Sequence, residues 1–291
     1  MSHNIDGTSA APAAAWSRLE VRPLRFDVGA DARIPRHWHG GRKSVTTFFD
    51  NLSIFFPAGE RFFIRSVRAN ADRVKDERLR ADVGAFCGQE GAHGREHDRY
   101  NDRLRALGYP IDALEQGVER RTRRASKYAP RRTQLAITCA LEHFTALMGH
   151  MLLDDPRVLE GAHPVMASLW RWHAAEENEH KAVAFDVYRA AGGGYFERVL
   201  VMLFASLTFW ARIVVHQVRL MRVDGILFSL REWSRLLGFL FVSPGVMRRL
   251  IPFYLRYYLP GFHPNDIDSG HLIDAWRHQN ASPSPTIETA A

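Results

Sequence analysis

Two Glu-x-x-His pairs, Glu90 with His93 and Glu177 with His180, are each preceded by a solitary glutamate one segment earlier, Glu60 and Glu142. This arrangement limits the chain to few folds. On a helix, residues three apart project from one face about a turn apart, so such a pair can offer one metal ion a carboxylate and an imidazole together. A single pair carries little weight, since about one is expected by chance in a chain of this size. Glu160 and His163, in a loop with Gly161 and Pro164, look like that accident. The solitary glutamates carry the inference. If a first hairpin turns near Lys75, Glu60 and Glu90 lie at equal depth, about 15 residues or roughly 22 Å from the turn. A loop from Asp154 to Pro164 leaves Glu142 and Glu177 about 12 to 13 residues away on either side, again matched. Two hairpins that each present a Glu and a Glu-x-x-His at one level can be satisfied jointly around a pair of metal ions.

That reading requires helices, and strand-like alternation is nearly absent between the Gly and Pro punctuation. The fold expected is all-α: a ferritin-like four-helix bundle over residues 35–194 with a dinuclear metal site, followed by apolar helices over 195–276 that pack on it. Residues 1–34 and 277–291 read as disordered tails. A first helix is expected from Pro57 through Val67, and a second from about Leu79 to Leu107, weakened by Gly84, Gly88, Gly91 and Gly94. Ile111 to Tyr128 is a connecting stretch within the crossover. A third helix runs from about Thr133 to Leu153, and a fourth from about Val165 to Ala191, halting at Gly192 to Gly194.

The candidate metal ligands are Glu60, Glu90, His93, Glu142, His173, Glu177 and His180. His173 shares a stripe with Glu177 and His180, four and seven residues on; the alternative is a core histidine between Trp170 and Trp172. Glu176 competes with Glu177, but the three-residue step to His180 repeats the step from Glu90 to His93. His97, four after His93, is read as a residue behind the ligands, and Glu96 or His97 as a source of acid or base help. Cys87 and Cys139 fall three residues before Glu90 and Glu142, as small side chains beneath the metal layer. With no CxxC and no disulfide framework they fit a reducing, cytoplasmic setting.

Phe56-Pro57-Ala58-Gly59-Glu60-Arg61-Phe62-Phe63, Gln89-Glu90-Gly91-Ala92-His93, Glu176-Glu177-Asn178-Glu179-His180-Lys181 and Pro260-Gly261-Phe262-His263-Pro264 resemble the bacterial family of predicted metal-dependent hydrolases, from about Pro35 to Trp276. The stripe of His173, Glu177 and His180 is similar to that of diiron arylamine N-oxygenases, whose site carries a third histidine. That second resemblance implies the same seven ligands and no particular substrate.

Two reactions follow. The first is oxidation by a non-haem diiron oxygenase or oxidase, with two iron ions, dioxygen, an electron donor and a small hydrophobic substrate; manganese and zinc remain alternatives by donor type. The second is hydrolysis, with the metal pair activating water. A non-enzymatic metal-binding or membrane-associated protein is the third reading. The net charge of +7 is concentrated between Arg120 and Arg132. Without aromatic interleaving beyond Tyr128, it reads as a solvated helix end or linker rather than a nucleic-acid site. The apolar run Val199 to Ala211 is shorter than the roughly 20 residues a bilayer span needs. It therefore packs on the bundle, faces a membrane peripherally, or forms a homodimer. Phe204, Leu207, Phe209 and Trp210 are expected to make the substrate pocket apolar.

Overall fold

The computed structural model describes residues 19–22, 24–280 and 287–289. Its helices are α1 (Lys43–Arg68), α2 (Glu77–Ala106), α3 (Ile111–Tyr128), α4 (Arg131–Asp154), α5 (Pro164–His180), α6 (Val183–Ala190), α7 (Tyr195–Val223), α8 (Leu230–Leu237), α9 (Val246–Arg256) and α10 (Gly270–Gln279). The fold is all-α. α1 lies along α2 and α4 along α5, with α1 and α4 also in contact; α7, α8 and α9 cover these helices, and α10 lies against α5.

Local chemistry explains most helix ends. The Asp76 carboxylate accepts from Leu79 N at 2.7 Å and caps α2, whose far end closes on Gly108 at φ +85°. Pro164 opens α5, where its missing N–H costs nothing.

Pro57 does not start a helix. It sits inside α1, which begins fourteen residues earlier. An interior proline removes the bond to the carbonyl four residues back, here Ser53. Asn101 Nδ2 on α2 donates to that carbonyl at 3.3 Å, so the lost partner is replaced from the neighbouring helix. The connecting stretch is itself the helix α3, seated by Ile111, Leu114 and Val118 with its basic residues outward. The fourth helix is broken after His180. At the break Lys181 is buried, donating to Ser269 Oγ at 3.0 Å and to the Ile267 carbonyl, and burial lowers its ammonium pKa to about 8.

The glycines of α2 do not weaken it, because two mark close approaches. A Cβ at Gly88 would lie 2.6 Å from the Val21 side chain, and one at Gly94 would lie 3.0 Å from Glu60 Oε2. Gly149 on α4 similarly admits α5, with the Ala174 carbonyl at 3.0 Å from such a Cβ.

Residues 1–18 and 23 of the expected N-terminal tail lie outside the described residues, but 19–22 and 24–34 do not behave as a tail. The strand β1 (Leu24–Phe26) pairs antiparallel with β2 (Ile287–Thr289), and Phe26 is fully buried 5.3 Å from Trp172. A three-residue strand is too short to show alternation in sequence. Its partner comes from the other expected tail, of which 281–286 and 290–291 are likewise outside the described residues.

Candidate metal centre

Glu60 on α1, Glu90 and His93 on α2, Glu142 on α4, and His173, Glu177 and His180 on α5 are all buried and converge. Their donor atoms form two groups, each within 4.8 Å: Glu60, His93 and His173 in one, Glu90, Glu142, Glu177 and His180 in the other. The groups adjoin at Glu177, whose Oε1 lies 3.0 Å from His173 Nε2, 3.4 Å from His93 Nδ1 and 3.7 Å from His180 Nε2. The division corrects one expectation. Glu90 and His93 do not address one point; Glu90 falls with His180, 3.1 Å away, and His93 falls with Glu60.

Both oxygens of Glu60, Glu90 and Glu142, Oε2 of Glu177, Nδ1 of His93 and Nε2 of His180 are buried without a hydrogen-bond partner. Buried polar atoms are rarely left so, and each costs about 1–3 kcal/mol, more when charged. Concentrated in one place on hard oxygen and imidazole donors, they fit cations: four carboxylates balance two divalent ions.

The outer nitrogens of the histidines are anchored reciprocally. His93 Nε2 donates to Glu176 Oε2 at 3.0 Å, and His180 Nδ1 donates to Gln89 Oε1 at 3.0 Å. The residue just before each paired glutamate thus orients the histidine of the opposite hairpin, leaving its other nitrogen toward the centre. Glu176 is the orienting residue and Glu177 belongs to the cluster. Arg22 ties this layer to the N-terminal segment, bridging Glu176 at 2.9 Å and Glu179 at 2.8 Å; Gln89 and Arg277 also bind Glu179. The orienting roles of Gln89, Glu176, Glu179 and Arg22 were not anticipated from sequence, where Glu176 was weighed only as a rival ligand to Glu177. The repeated polar residue before each Glu-x-x-His was the signal for the first two; Arg22 had none.

His173 is oriented through a longer chain. Ser53 Oγ donates to Asn101 Oδ1 at 2.8 Å, so it accepts from His97 Nδ1 at 2.9 Å. Burial, with His173 and His93 nearby, holds His97 well below 6.5, so it is neutral and its Nε2 accepts from His173 Nδ1 at 2.7 Å. His173 Nε2 is then the bare nitrogen, facing the cluster. Glu96 is not placed for chemistry. It accepts the Phe26 backbone N–H at 2.9 Å and pairs with Arg99 at 3.0 Å, fastening β1. Cys87 and Cys139 are buried with thiol pKa values raised by burial, and Glu160 with His163 joins neither group.

Burial and mutual repulsion push Glu60 and Glu142 well above the usual carboxylate range and raise Glu90. Glu177 resists its burial, since the imidazoles of His173, His180 and His93 beside it hold it well below. His93, despite burial, is raised to about 10 by Glu176 and Glu177. Glu177 is the carboxylate that stays ionised at the middle of the cluster.

A Gly94→Ala substitution is expected to displace the Glu60 carboxylate and to remove the ion held with His93 and His173 before the other. Metal analysis by plasma emission would show about one ion per chain instead of about two; unchanged content would mean that Glu60 is not a ligand.

A cavity of about 50 Å³ reaches His173 and Glu177 between walls of Phe48, Phe49, Phe56, Trp170, Phe239 and Met247. The apolar character is as expected, but its source differs. Phe204 and Leu207 face outward and Phe209 and Trp210 pack on Phe144, while Phe239, Val246 and Met247 reach the cavity.

A family model described as predicted metal-dependent hydrolase matches residues 20–268. No curated protein and no solved structure matches the chain.

Proposed function

The chain belongs to the predicted metal-dependent hydrolase family, and we propose that it hydrolyses a bond in a small apolar molecule at a dinuclear metal centre. The observation that carries the reading is the set of partnerless buried donor atoms, in two adjoining groups, at the end of an apolar cavity. Glu60, His93 and His173 would hold one ion and Glu90, Glu142 and His180 the other, with Glu177 between them. The scaffold is read as ferritin-like on the same grounds. Bound there, the ions supply an activated water and polarise the scissile group.

The protein's residues do the rest. Gln89, Glu176 and His97 fix the three histidine rings, so the donors need not reorganise during turnover. The phenylalanines of the cavity hold the apolar part of the substrate and exclude bulk water. Among the described residues no Lys or Arg lines the cavity to balance a phosphate, which favours a neutral ester or amide. Trp170, also on the wall, carries a buried indole N–H without a partner, available to a carbonyl oxygen. His97 is neutral and engaged at both nitrogens, so it is not the acid that protonates a leaving group.

The family match favours hydrolysis over the oxidative reading. The expected result is turnover of carboxylic ester or amide panels by the metal-loaded protein at equal rates with and without dioxygen. Stoichiometric dioxygen uptake by the iron-loaded protein, with no anaerobic turnover, would overturn hydrolysis in favour of the oxygenase.

A further inference from the structure

α7 has two apolar faces where a surface helix ordinarily has one. Met202, Ala205, Ile213 and Leu220 pack inward, while Phe196, Leu200, Phe204 and Leu207 point out, Phe196 79% and Leu207 71% exposed. α9 continues this face. It is held beside α7 by the Ser206–Tyr254 hydroxyl pair at 2.8 Å and by Tyr195 Oη donating to the Tyr258 carbonyl at 2.9 Å. Ile251 and Leu255 on it and Leu259 just past its end are exposed, and the turn of π-helix between α8 and α9 (238–242) adds Phe241 and Val242. Scattered exposed hydrophobics need no explanation, but a set spread over neighbouring elements does.

The charges say what covers it. From Tyr195 to Pro260 the chain has nine arginines, no lysine and three acidic residues. All three acids are occupied: Glu197 by Arg132, Asp224 by Arg36, and Glu232 by Arg235. The exposed Arg219, Arg222, Arg231 and Arg256 have no ion pair among the described residues. Unbalanced guanidinium groups around an apolar face complement anionic headgroups above acyl chains. A second copy of this chain would set arginines against arginines.

The run from Val199 to Ala211 is only part of α7, which, contrary to the length expected from sequence, is long and apolar enough to cross a bilayer. Its inner stripe from Met202 to Leu220 is buried and the helix packs on α1 and α4, which suits a helix lying along a surface rather than through it. The docking face also borders the cavity. Phe239 lines the cavity, while Phe241 and Val242, two and three residues on, face out.

We propose that this face seats the protein on an anionic bilayer and that the substrate is an apolar ester or amide dissolved in that bilayer; the substrate half rests on the hydrolytic reading. Water adds across the acyl bond, giving acid and alcohol or amine, with no further reactant.

The metal-loaded full chain is floated with vesicles of phosphatidylcholine, with and without phosphatidylglycerol. Phe204→Glu/Leu207→Glu and Arg219→Glu/Arg222→Glu variants are run beside it, each checked for metal content and sedimentation. Wild type should float with the anionic vesicles. Both variants should bind about tenfold more weakly or worse with metal content unchanged. Absence of wild-type binding overturns the proposal, as does a solution dimer that Phe204→Glu/Leu207→Glu splits without any vesicle binding. Hydrolysis is read separately. The Phe204→Glu/Leu207→Glu variant should lose vesicle-borne long-chain ester turnover and keep soluble short-chain ester turnover; equal loss on both overturns the substrate half. Binding without any hydrolysis leaves the docking face standing and removes only the hydrolytic reading.

Discussion

Glu177→Ala is expected to take the metal content from about two ions per chain to almost none. Its carboxylate lies among His93, His173 and His180, which hold it ionised against its burial. Removing it withdraws charge and a donor from both positions. The loss of activity should exceed the roughly 10–100-fold expected when an outer hydrogen-bond partner such as Gln89 or His97 is removed. His173→Ala provides the contrast: it belongs to one group only, so one ion should remain. Metal analysis of both variants, with circular dichroism as a check on folding, decides the matter. Full stoichiometry in Glu177→Ala would dismantle the centre described above.

Chelation should destabilise the protein steeply, and more so as pH rises. If each ion is present at about a thousand times its Kd, losing two costs about 8 kcal/mol, or roughly 15–25 °C in Tm for a chain of this size. The pH dependence follows from the metal-free pKa shifts. Glu60 and Glu142 are raised well above the carboxylate range, so between the ordinary carboxylate value and their folded values the folded chain holds protons that the unfolded chain has released. His93, raised to about 10, and His180, also raised, contribute stability that is present below 6.5 and lost as pH climbs through their folded values. All four groups act with one sign, and His93 carries the effect from pH 6.5 to about 10: these groups make the chelated protein lose stability as pH rises. Glu177 and His173, both lowered, oppose this only below 6.5. Bound cations take the place of those protons, so the Tm gap between loaded and chelated protein should widen from pH 6.5 to 9. A gap that narrows would contradict the assignment of these donors to a metal.

The helices and the donors were legible because both are local in sequence. A 3.6-residue period and a three-residue Glu-to-His step are properties of a single helix, and equal distances from two turns predict equal height without knowledge of how the helices pack. That sufficed to choose α2 and α4 almost to their ends, and to choose the seven residues whose donor atoms meet in two groups. α1 was cut short at Pro57 because its compensation, Asn101 on another helix, is not a local property. The same holds for the four glycines of α2, two of which are places where Val21 and Glu60 come close.

Only the tertiary structure decided how the donors divide. Whether Glu90 falls in the donor group of His93 or in that of His180 depends on the rotation of α2 against α5, which spacing along one helix does not contain. It also decided which face of α7 is covered. An outward apolar stripe and an inward one read alike in sequence, since hydrophobicity records what a side chain avoids and not which neighbour it meets; the bundle covered Met202 and Leu220 and left Phe204 and Leu207 outside.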